Sequence, residues 1–379
     1  MVKSFVSKID RRRQAEKGFT LLELLVGSTV MLIAIIAALE LYSRSNKVAV
    51  DQQQYAEIQH DVRTSMYLIS RDLRMAGAGL PKEFAMYAFE GTDNEDQGAG
   101  VTTPDRLRLM GNIEEPLNLR IHGYQGGEGG ASVTLDLEDY SFEQYSYLDA
   151  YYTNKFVLVL PNPASLCRAA EVRIVTHVTH STGATTEKLN FSPGLAPGVD
   201  PPGGLSGSCT DPDNYDGGLV TFVDVLEYWL DLTGNGSDFG LTDGVNGYIG
   251  GNVGGVLYLT KNGVHNALAQ NIENLQFEYN GDLNRDTTMD GFVPWNNTWT
   301  VDNVNDIRQI RFWVLGRTPS RVLNVAGMPT GGIHIYRRPA VSNTLADTLD
   351  DRCKRFLMNS TSNVRNISLN VYNGQPGER

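Results

Sequence analysis

The chain has 379 residues, enough for two average domains or for one large domain with appendages. It carries 32 basic against 44 acidic side chains, a net charge of −12, which argues against a nucleic-acid coat held by bulk charge. The charge is unevenly placed, because residues 1–18 hold a net +4, and taking that +4 from the total of −12 leaves −16 on the remainder.

The first predicted element is an apolar segment, residues 19–41, long enough for a membrane-spanning helix of ~20 residues. The basic stretch before it predicts a cytoplasmic N-terminus, with the rest of the chain sent outward. A secretory signal would end in a small-residue cleavage site, but the segment runs directly into ELYSRSNKVAVDQQQ. A plain uncleaved anchor explains the hydrophobicity but leaves Glu23, a charge inside the apolar run, without a purpose.

The helical pattern continues beyond the apolar segment. No proline occurs before Pro81, and apolar residues recur at steps of three and four. Gly77 and Gly79 then provide a stop. The predicted helix therefore runs from Phe19 to about Ala76 and is roughly 85 Å long at 1.5 Å per residue. Its core-facing stripe consists of Tyr55, Ile58, Val62, Met66, Ile69 and Leu73.

After the helix, the pattern changes to short alternating runs between Gly-, Pro-, Asn- and Asp-rich connections, as in antiparallel β-structure. The predicted fold is α+β, a long N-terminal α-helix packed against a β-rich antiparallel globular head. A Gly/Pro-rich stretch at about 194–218 is predicted to be an exposed loop. The predicted strands are 105–110, 131–137, 155–160, 171–176, 220–230, 255–260, 271–279, 307–315 and 333–336, followed by ISLNVY near the C-terminus.

The three cysteines form no metal-binding spacing. In an oxidising compartment we expect one disulfide and one spare thiol. Cys167 and Cys209 flank the Gly/Pro-rich loop, which favours their pairing and leaves Cys353 over. Three buried thiols are the alternative.

An acidic stretch, DLNRDTTMDG, offers oxygen ligands at the spacing that suits Ca²⁺. Asp282, Asn284, Asp286 and Asp290 stand at positions 1, 3, 5 and 9 of an EF-hand-like numbering, and Thr288 can give a backbone carbonyl at position 7. Position 12 is a valine rather than a glutamate, and position 6 is not glycine. The alternative is an acidic turn at a hairpin tip. A second stretch, DLTGNGSD, matches more weakly.

Enzyme signatures are absent from the sequence, which has no G-x-S-x-G, no phosphate-binding P-loop and no H-E-x-x-H. His177 and His180 form H-x-x-H in a predicted strand-to-turn segment. Three apart on a strand, they point to opposite faces and do not suit a shared metal. A tyrosine-rich stretch, 140–152, either packs internally or stacks against sugars or DNA. The sequence predicts a protein that is not an enzyme.

The stretch GFTLLE, residues 18–23, resembles the class III signal peptide of type IV prepilins and type II secretion pseudopilins. The resemblance implies that prepilin peptidase cuts between Gly18 and Phe19 and that the new Phe19 amine is N-methylated. It also implies that Glu23 serves filament assembly by pairing with the amine of a neighbouring subunit. The implied segments are a leader (1–18), a transmembrane and filament-core helix (19–42), an amphipathic half-helix (43–79) and the head (80–379).

Later landmarks resemble the PilW-type minor pilins, which are related to the GspJ-type pseudopilins. RDLRMAGAG at 71–79 resembles their helix-to-head junction, and NIENLQFEYN with VNDIRQIRFWVLGRT resembles a late hairpin. VRN at 364–366 resembles their C-terminal strand. The head is large for a GspJ-type protein, and 80–150 and 180–250 look like insertions.

The resemblance implies a minor pilin that sits in the inner membrane with its N-terminus in the cytoplasm. It is then assembled at or near the tip of a type IV pilus at the cell surface, where such fibres serve adhesion and twitching motility. The implied partners are prepilin peptidase, major and minor pilins and a tip adhesin, while nucleic acid is not indicated. The alternatives are a periplasmic type II secretion pseudopilin, or a filament-displayed module that binds DNA, surfaces or glycans.

Overall fold

The computed structural model describes residues 19–80, 88–93, 104–112, 118–125, 132–136, 152–165, 171–179, 186–191, 215–232, 255–318, 338–344, 346 and 353–364. Two compact units are distinguished, Met1–Gln53 with Leu323–Met328, and Gln54–Val322 with Pro329–Arg379. The predicted leader, the predicted disulfide partners Cys167 and Cys209, and the last two predicted strands lie outside the described residues.

A single helix, α1 (Leu21–Met75), occupies the N-terminal part, so the predicted helix is confirmed to within two residues. It ends where the sequence places the stop. Gly77 and Gly79 have φ of 74° and 71°, the left-handed conformation in which a residue without Cβ ends a helix at little cost. A Cβ on Gly79 would also come within 2.7 Å of Asn112.

From Gln54 onward, α1 contributes one face to the core of the second unit. The predicted stripe is confirmed, because all of its members except the half-buried Tyr55 are at most 5% exposed. Burying each such side chain contributes roughly 1.5–3 kcal/mol. Gly316 lies where this face crosses the sheet, since a Cβ there would meet Ile58 at 2.4 Å and Val62 at 2.8 Å.

Twelve strands are described, together with a short helix, α2 (Val301–Asn305). All the strand pairs are antiparallel. The strands are β1 (Phe89–Thr92), β2 (Arg106–Gly111), β3 (Asn118–Gln125), β4 (Ser132–Asp136), β5 (Phe156–Leu160), β6 (Glu171–Thr179), β7 (Thr186–Phe191), β8 (Leu219–Asp231), β9 (Gly255–Lys261), β10 (Val264–Gly281), β11 (Ile307–Arg317) and β12 (Arg355–Asn363).

Seven of these strands form the main sheet, in the order β1-β2-β8-β9-β10-β11-β12. Its inner face joins the α1 stripe in one hydrophobic core that includes Leu109, Leu226, Phe277 and Phe312. Alternation of buried and less buried residues is clear in β1, where one face points to the core, whereas β8 is buried at every position after its first.

The other strands close a second, smaller circuit. β3 pairs with β4, β4 with β7, β7 with β6, β6 with β5, and both β5 and β3 pair with the first half of β8. A closed ring of strands leaves no edge exposed. A separate apolar cluster accompanies this ring: Leu119, Ile121, Tyr152, Val157, Val159, Val175, Val178, Leu189, Phe191, Tyr215, Val220 and Phe222.

A buried ion pair links β10 to β12 across β11. Arg355 makes a two-pronged contact with Glu273, its Nη2 donating to Oε1 at 2.8 Å and its Nε donating to Oε2. The two side chains are 8% and 2% exposed. In this geometry two N–H groups of the arginine match the two oxygens of the carboxylate, so the pair is both strong and directional.

The other predicted strands that lie within the described residues are confirmed, but β1, β3, β7 and β12 were not predicted, and β10 begins seven residues earlier than expected. The exposed loop predicted at 194–218 is wrong at its end. Tyr215 is fully buried in the second core, because an aromatic ring of this size buries a large apolar area when it packs there.

Candidate functional site

The first part of α1 presents apolar side chains around its whole circumference. Its most apolar 18-residue window has a mean hydropathy of 2.4 and is 0% buried, so the helix is long and apolar enough to cross a membrane. Phe19 is 83% exposed, and the leucines and isoleucines that follow are similarly open. Contiguous apolar surface of this extent marks a face that binds lipid or other protein.

Thr20 and Glu23 cap the start of this helix reciprocally. The Thr20 hydroxyl accepts a hydrogen bond from the Glu23 N–H at 3.2 Å, while Oε2 of Glu23 accepts from the Thr20 N–H and hydroxyl, both at 3.0 Å. This T-x-x-E arrangement is a capping box. It satisfies backbone donors that a lipid environment would leave without partners.

The capping box was not predicted, although its spacing is visible in the sequence. It uses one oxygen of Glu23, and Oε1 has no hydrogen bond among the described residues. The carboxylate also lies at the positive end of the helix dipole, which favours an anion. Phe19 immediately precedes the cap, whereas Gly18 lies outside the described residues.

Polar groups further along the apolar segment are satisfied within the helix itself. The hydroxyls of Ser28 and Thr29 donate to the carbonyl of Leu25 at 2.9 and 2.8 Å. Glu40 and Arg44 then form an ion pair one turn apart. The segment between the capping box and this pair therefore carries no side-chain polar group that needs water.

At the other end of α1, a buried carboxylate joins the helix to the main sheet. Asp72 is fully buried and accepts hydrogen bonds from the Tyr228 hydroxyl and from Nε of Arg71, each at 2.6 Å. Burial and the Asp72 charge raise the pKa of Tyr228 well above its usual value, so the phenol stays protonated and keeps donating. This bond fixes the position of α1 along β8.

The predicted calcium loop is held by its own backbone donors. Asp282 accepts from the N–H of Thr287 at 3.0 Å, Asn284 from that of Asp286 at 2.9 Å, and Asp286 from that of Thr288 at 2.9 Å. The Thr288 hydroxyl also donates to Asp286, and this bond, together with that from the Thr288 N–H, lowers the pKa of Asp286. Asp290 accepts from two further backbone N–H groups, at 2.6 and 3.0 Å.

This loop fits a cation only in part. Across the described ranges, no three His, Cys, Asp or Glu side chains are grouped so that they could hold a metal ion. One oxygen, Oδ1 of Asp282, is nevertheless buried without a hydrogen-bond partner. In addition, Arg285 supplies positive charge by donating to Asp306 at 2.9 Å. Calcium binding by the predicted residues remains a prediction.

If the loop binds Ca²⁺, the full mature chain in detergent should melt higher in calcium than in chelator. At 10 mM calcium, a hundredfold excess over a Kd of ~10⁻⁴ M, the gain is about 2.7 kcal/mol. Asp286→Asn should abolish this gain while keeping the oxygen that Thr288 bonds. Magnesium is the control ion. If the wild-type melting curves in calcium and in chelator superimpose, the loop is an acidic turn and does not bind Ca²⁺.

The remaining candidate residues are the histidine pair, the tyrosine-rich stretch and the third cysteine. His177 is exposed, with Nε2 3.3 Å from the Thr179 hydroxyl, and His180 lies outside the described residues. Tyr152, from the tyrosine-rich stretch, is buried and stacks on Phe222 with ring centroids 4.9 Å apart. Cys353 is buried.

Comparison with known proteins gives a family match near the N-terminus, a relative over a short stretch, and an alignment with a solved structure. Residues 13–39 match the family model of the prokaryotic N-terminal methylation motif. The pilin-like protein PilA3 of Thermus thermophilus is 32% identical over 63 residues, which span 17% of this chain and 27% of that relative. A solved type IV-like pilin from Thermus thermophilus aligns with 61% of this chain and 98% of its own, at 11% identity and a TM-score of 0.20.

Proposed function

We propose that this type IV pilin-like chain, with its prepilin methylation motif, is a minor pilin of the PilW type. In this proposal it is processed by prepilin peptidase and assembled with other pilins at or near the tip of a type IV pilus. There it primes assembly and presents its head to partner subunits or to an adhesin. The protein acts as a structural component, and no step of this function requires an enzyme site.

The observation that carries the proposal is the state of the first part of α1. It is apolar on all sides, 0% buried over its most apolar window, and begins at a capping box. Such a helix needs lipid around it before assembly and other subunits around it afterwards. The methylation motif covers residues 13–39, which include the start of this apolar helix. The proposed processing site and the apolar helix therefore belong to one segment.

Cleavage between Gly18 and Phe19 would place a new amine immediately before the capping threonine. That amine adds positive charge at the positive end of the helix, where an anion from a neighbouring subunit is favoured. Glu23 of the neighbour has Oε1 available, since its own cap uses Oε2. The pair would compensate two charges that are each costly in an apolar surrounding.

The enlarged head favours a terminal place in the filament. The closed circuit from β3 to β7 with β8 adds a second core beside the main sheet. A subunit repeated along a fibre must fit neighbours on all sides, whereas a terminal subunit has one side open. A type II secretion pseudopilin would share the processing but would work in a short periplasmic piston, and neighbouring genes for a pilus or for a secretion system distinguish the two.

The assembly role of Glu23 is tested by separating its charge from its capping bond. Glu23→Gln keeps a capping box, because glutamine serves at that position, but it removes the charge. A charge-assisted pair of about 1.5–3 kcal/mol predicts at least roughly tenfold less of the variant in sheared pili. Immunoblots of the pilus and membrane fractions measure the distribution.

Thr20→Ala is the matched control, since it removes the cap hydroxyl and leaves the carboxylate. It should cost the helix about 1 kcal/mol and enter pili nearly as well as the wild type. Glu23→Ala, which loses both features, should fall at least as low as Glu23→Gln. Equal amounts of Glu23→Gln and wild-type protein in sheared pili would show that the charge has no part in assembly.

A further inference from the structure

An open cavity of about 770 Å³ lies beside the acidic loop of the head, close to two half-buried tryptophans. Its aromatic wall is formed by Trp295 and Trp299, whose ring centroids are 5.0 Å apart at an interplanar angle of 72°. The polar part of the lining is contributed by Asp93, Asn284, Asp290, Asn296 and Asn297. This volume is in the usual range of small-ligand pockets.

The aromatic wall is held from behind by buried groups. Tyr279 is 1% exposed, and its ring lies 5.2 Å from that of Trp295 and 5.8 Å from that of Trp299. The hydroxyl of Tyr279 approaches Gly91, where a Cβ would come within 2.4 Å of it and within 2.8 Å of the Trp295 ring. The absence of a side chain at this position therefore leaves room for the packed rings.

Backbone and side-chain bonds fix the segment that carries the two rings. Val293 exchanges two backbone hydrogen bonds with Tyr279, at 2.7 and 2.9 Å. Asn296 accepts from the N–H and hydroxyl of Thr298 at 2.9 and 2.8 Å, and its carbonyl accepts from the Trp299 N–H at 2.9 Å. The rings thus keep their positions without a ligand, so the pocket is largely formed in advance.

The lining selects a class of ligand by its charge and hydrogen-bonding groups. None of the described lining residues is Lys, Arg or His, so an anionic ligand such as a phosphate would meet two carboxylates and no compensating cation. Asn284 and Asn296 already accept hydrogen bonds within the loop. The Asn297 amide still offers a carbonyl oxygen and two N–H donors, while the carboxylates only accept. A ligand whose groups both donate and accept hydrogen bonds matches this mixture.

The lining oxygens and amides retain capacity for such bonds. Oδ1 of Asp93 accepts from Asn343 at 2.7 Å, and Oδ2 of Asp290 accepts the two loop N–H groups. Across the described residues, the second oxygen of each carboxylate and the side chain of Asn297 make no hydrogen bond. The residues that carry these groups line the cavity. A hydroxyl-bearing ligand would replace the water that otherwise bonds these groups.

We infer that this pocket, defined by Trp295, Trp299, Asn297, Asp93 and Asp290, binds a neutral carbohydrate. Sugar rings carry C–H groups on one face, which the negative face of an indole attracts, and hydroxyls at the edge, which amides and carboxylates bind. A quaternary ammonium would satisfy the tryptophans and carboxylates but would leave the Asn297 amide without a partner. The site lies wholly within the head and does not depend on the proposed filament role.

The test uses the full chain from Phe19 in a detergent without a sugar headgroup, with 1 mM calcium present. Calorimetric titrations are made with maltotetraose, cellotetraose, chitotetraose and mannotetraose, and with acetylcholine and inorganic phosphate as contrasting ligands. We expect at least one neutral tetrasaccharide to bind with a Kd below about 1 mM, and the two charged ligands not to bind.

Variants locate the binding in this pocket. Trp299→Leu keeps an apolar contact with Tyr279 but loses the aromatic face, and it should weaken binding at least tenfold, whereas Trp299→Phe should stay within about threefold. Asn297→Ala should weaken binding about fivefold. Asn297 is exposed and its removal does not touch the core, so this variant remains informative if Trp299→Leu folds poorly. The matched control is Asn359→Ala, at an exposed position on β12, which should bind as the wild type does.

The inference is overturned if none of the four saccharides binds, if acetylcholine binds in their place, or if Trp299→Leu and Asn297→Ala bind like the wild type while folding normally. Such a result leaves the proposed minor-pilin role standing, because that role rests on the N-terminal segment. Binding that is lost in both pocket variants and kept in Asn359→Ala supports the carbohydrate site.

Discussion

Replacing Gly18 by leucine is expected to block maturation completely, so that the 18-residue leader stays on the chain and the Phe19 amine is never exposed or methylated. The peptidase must approach the backbone closely at the bond it cuts, and a residue without Cβ allows that approach. Intact-mass measurement of the membrane-bound protein distinguishes the two forms. The unprocessed chain should also be absent from sheared pili.

A leucine introduced at Gly27 is the matched control, because a Cβ there meets no atom within 4 Å. This change adds the same side chain to the same segment, beyond the proposed cut, and should leave processing normal. If Gly18→Leu has the mass of the mature, methylated chain, the proposed cleavage site is wrong. Retention of the leader in both variants would indicate a general defect of membrane insertion instead.

The largest expected effect on stability comes from the Arg355–Glu273 pair. Glu273→Ala leaves the Arg355 guanidinium buried without its counter-charge, and breaking one side of such a pair costs about 3–5 kcal/mol. Strand β12 would lose this direct side-chain link to β10, since backbone pairing joins the two strands only by way of β11. Urea unfolding of the mature chain in detergent, read as the midpoint at constant slope, measures the loss.

Two comparisons test whether the cost is that of an isolated buried charge. Glu273→Leu combined with Arg355→Met should recover much of the loss, because an apolar pair replaces an ionic one without leaving a charge behind. Arg285→Ala, at a pair whose side chains are 52% and 22% exposed, should cost less than about 1 kcal/mol. A double variant as unstable as Glu273→Ala would show that the lost packing, not the charge, decides.

The elements that could be predicted are those whose pattern is local. The stripe on α1 follows a 3.6-residue period, and its buried members repeat one helix face over about four turns. By contrast, β12 was missed because only Phe356, Leu357 and Met358 are apolar there, and the polar remainder of the strand reads as a loop. Its position depends on pairing with β11, which is a contact between distant segments.

The sites divide in the same way. The class III signal and the spacing of Thr20 and Glu23 are contained in a few consecutive residues, so a sequence can display them. The tryptophan pocket is not visible there, because Asp93 belongs to a distant part of the chain and is positioned by the pairing of β1 with β2 and by the bond to Asn343. Long-range pairing therefore hides the pocket and the closed circuit from any local pattern.

Strand β8 has a kinetic consequence. Its first half completes the second, smaller circuit of strands, and its second half lies between β2 and β9 in the main sheet. Strands β3 to β7 therefore cannot close their ring before β8, which is made later, has folded. Strand β2 also pairs with β8 and depends on it in the same way. Such non-local assembly is slow and leaves strand edges open meanwhile. Until β8 has folded, the edges of β2, β3 and β5 that pair with it stay open to the same edges of other unfinished heads.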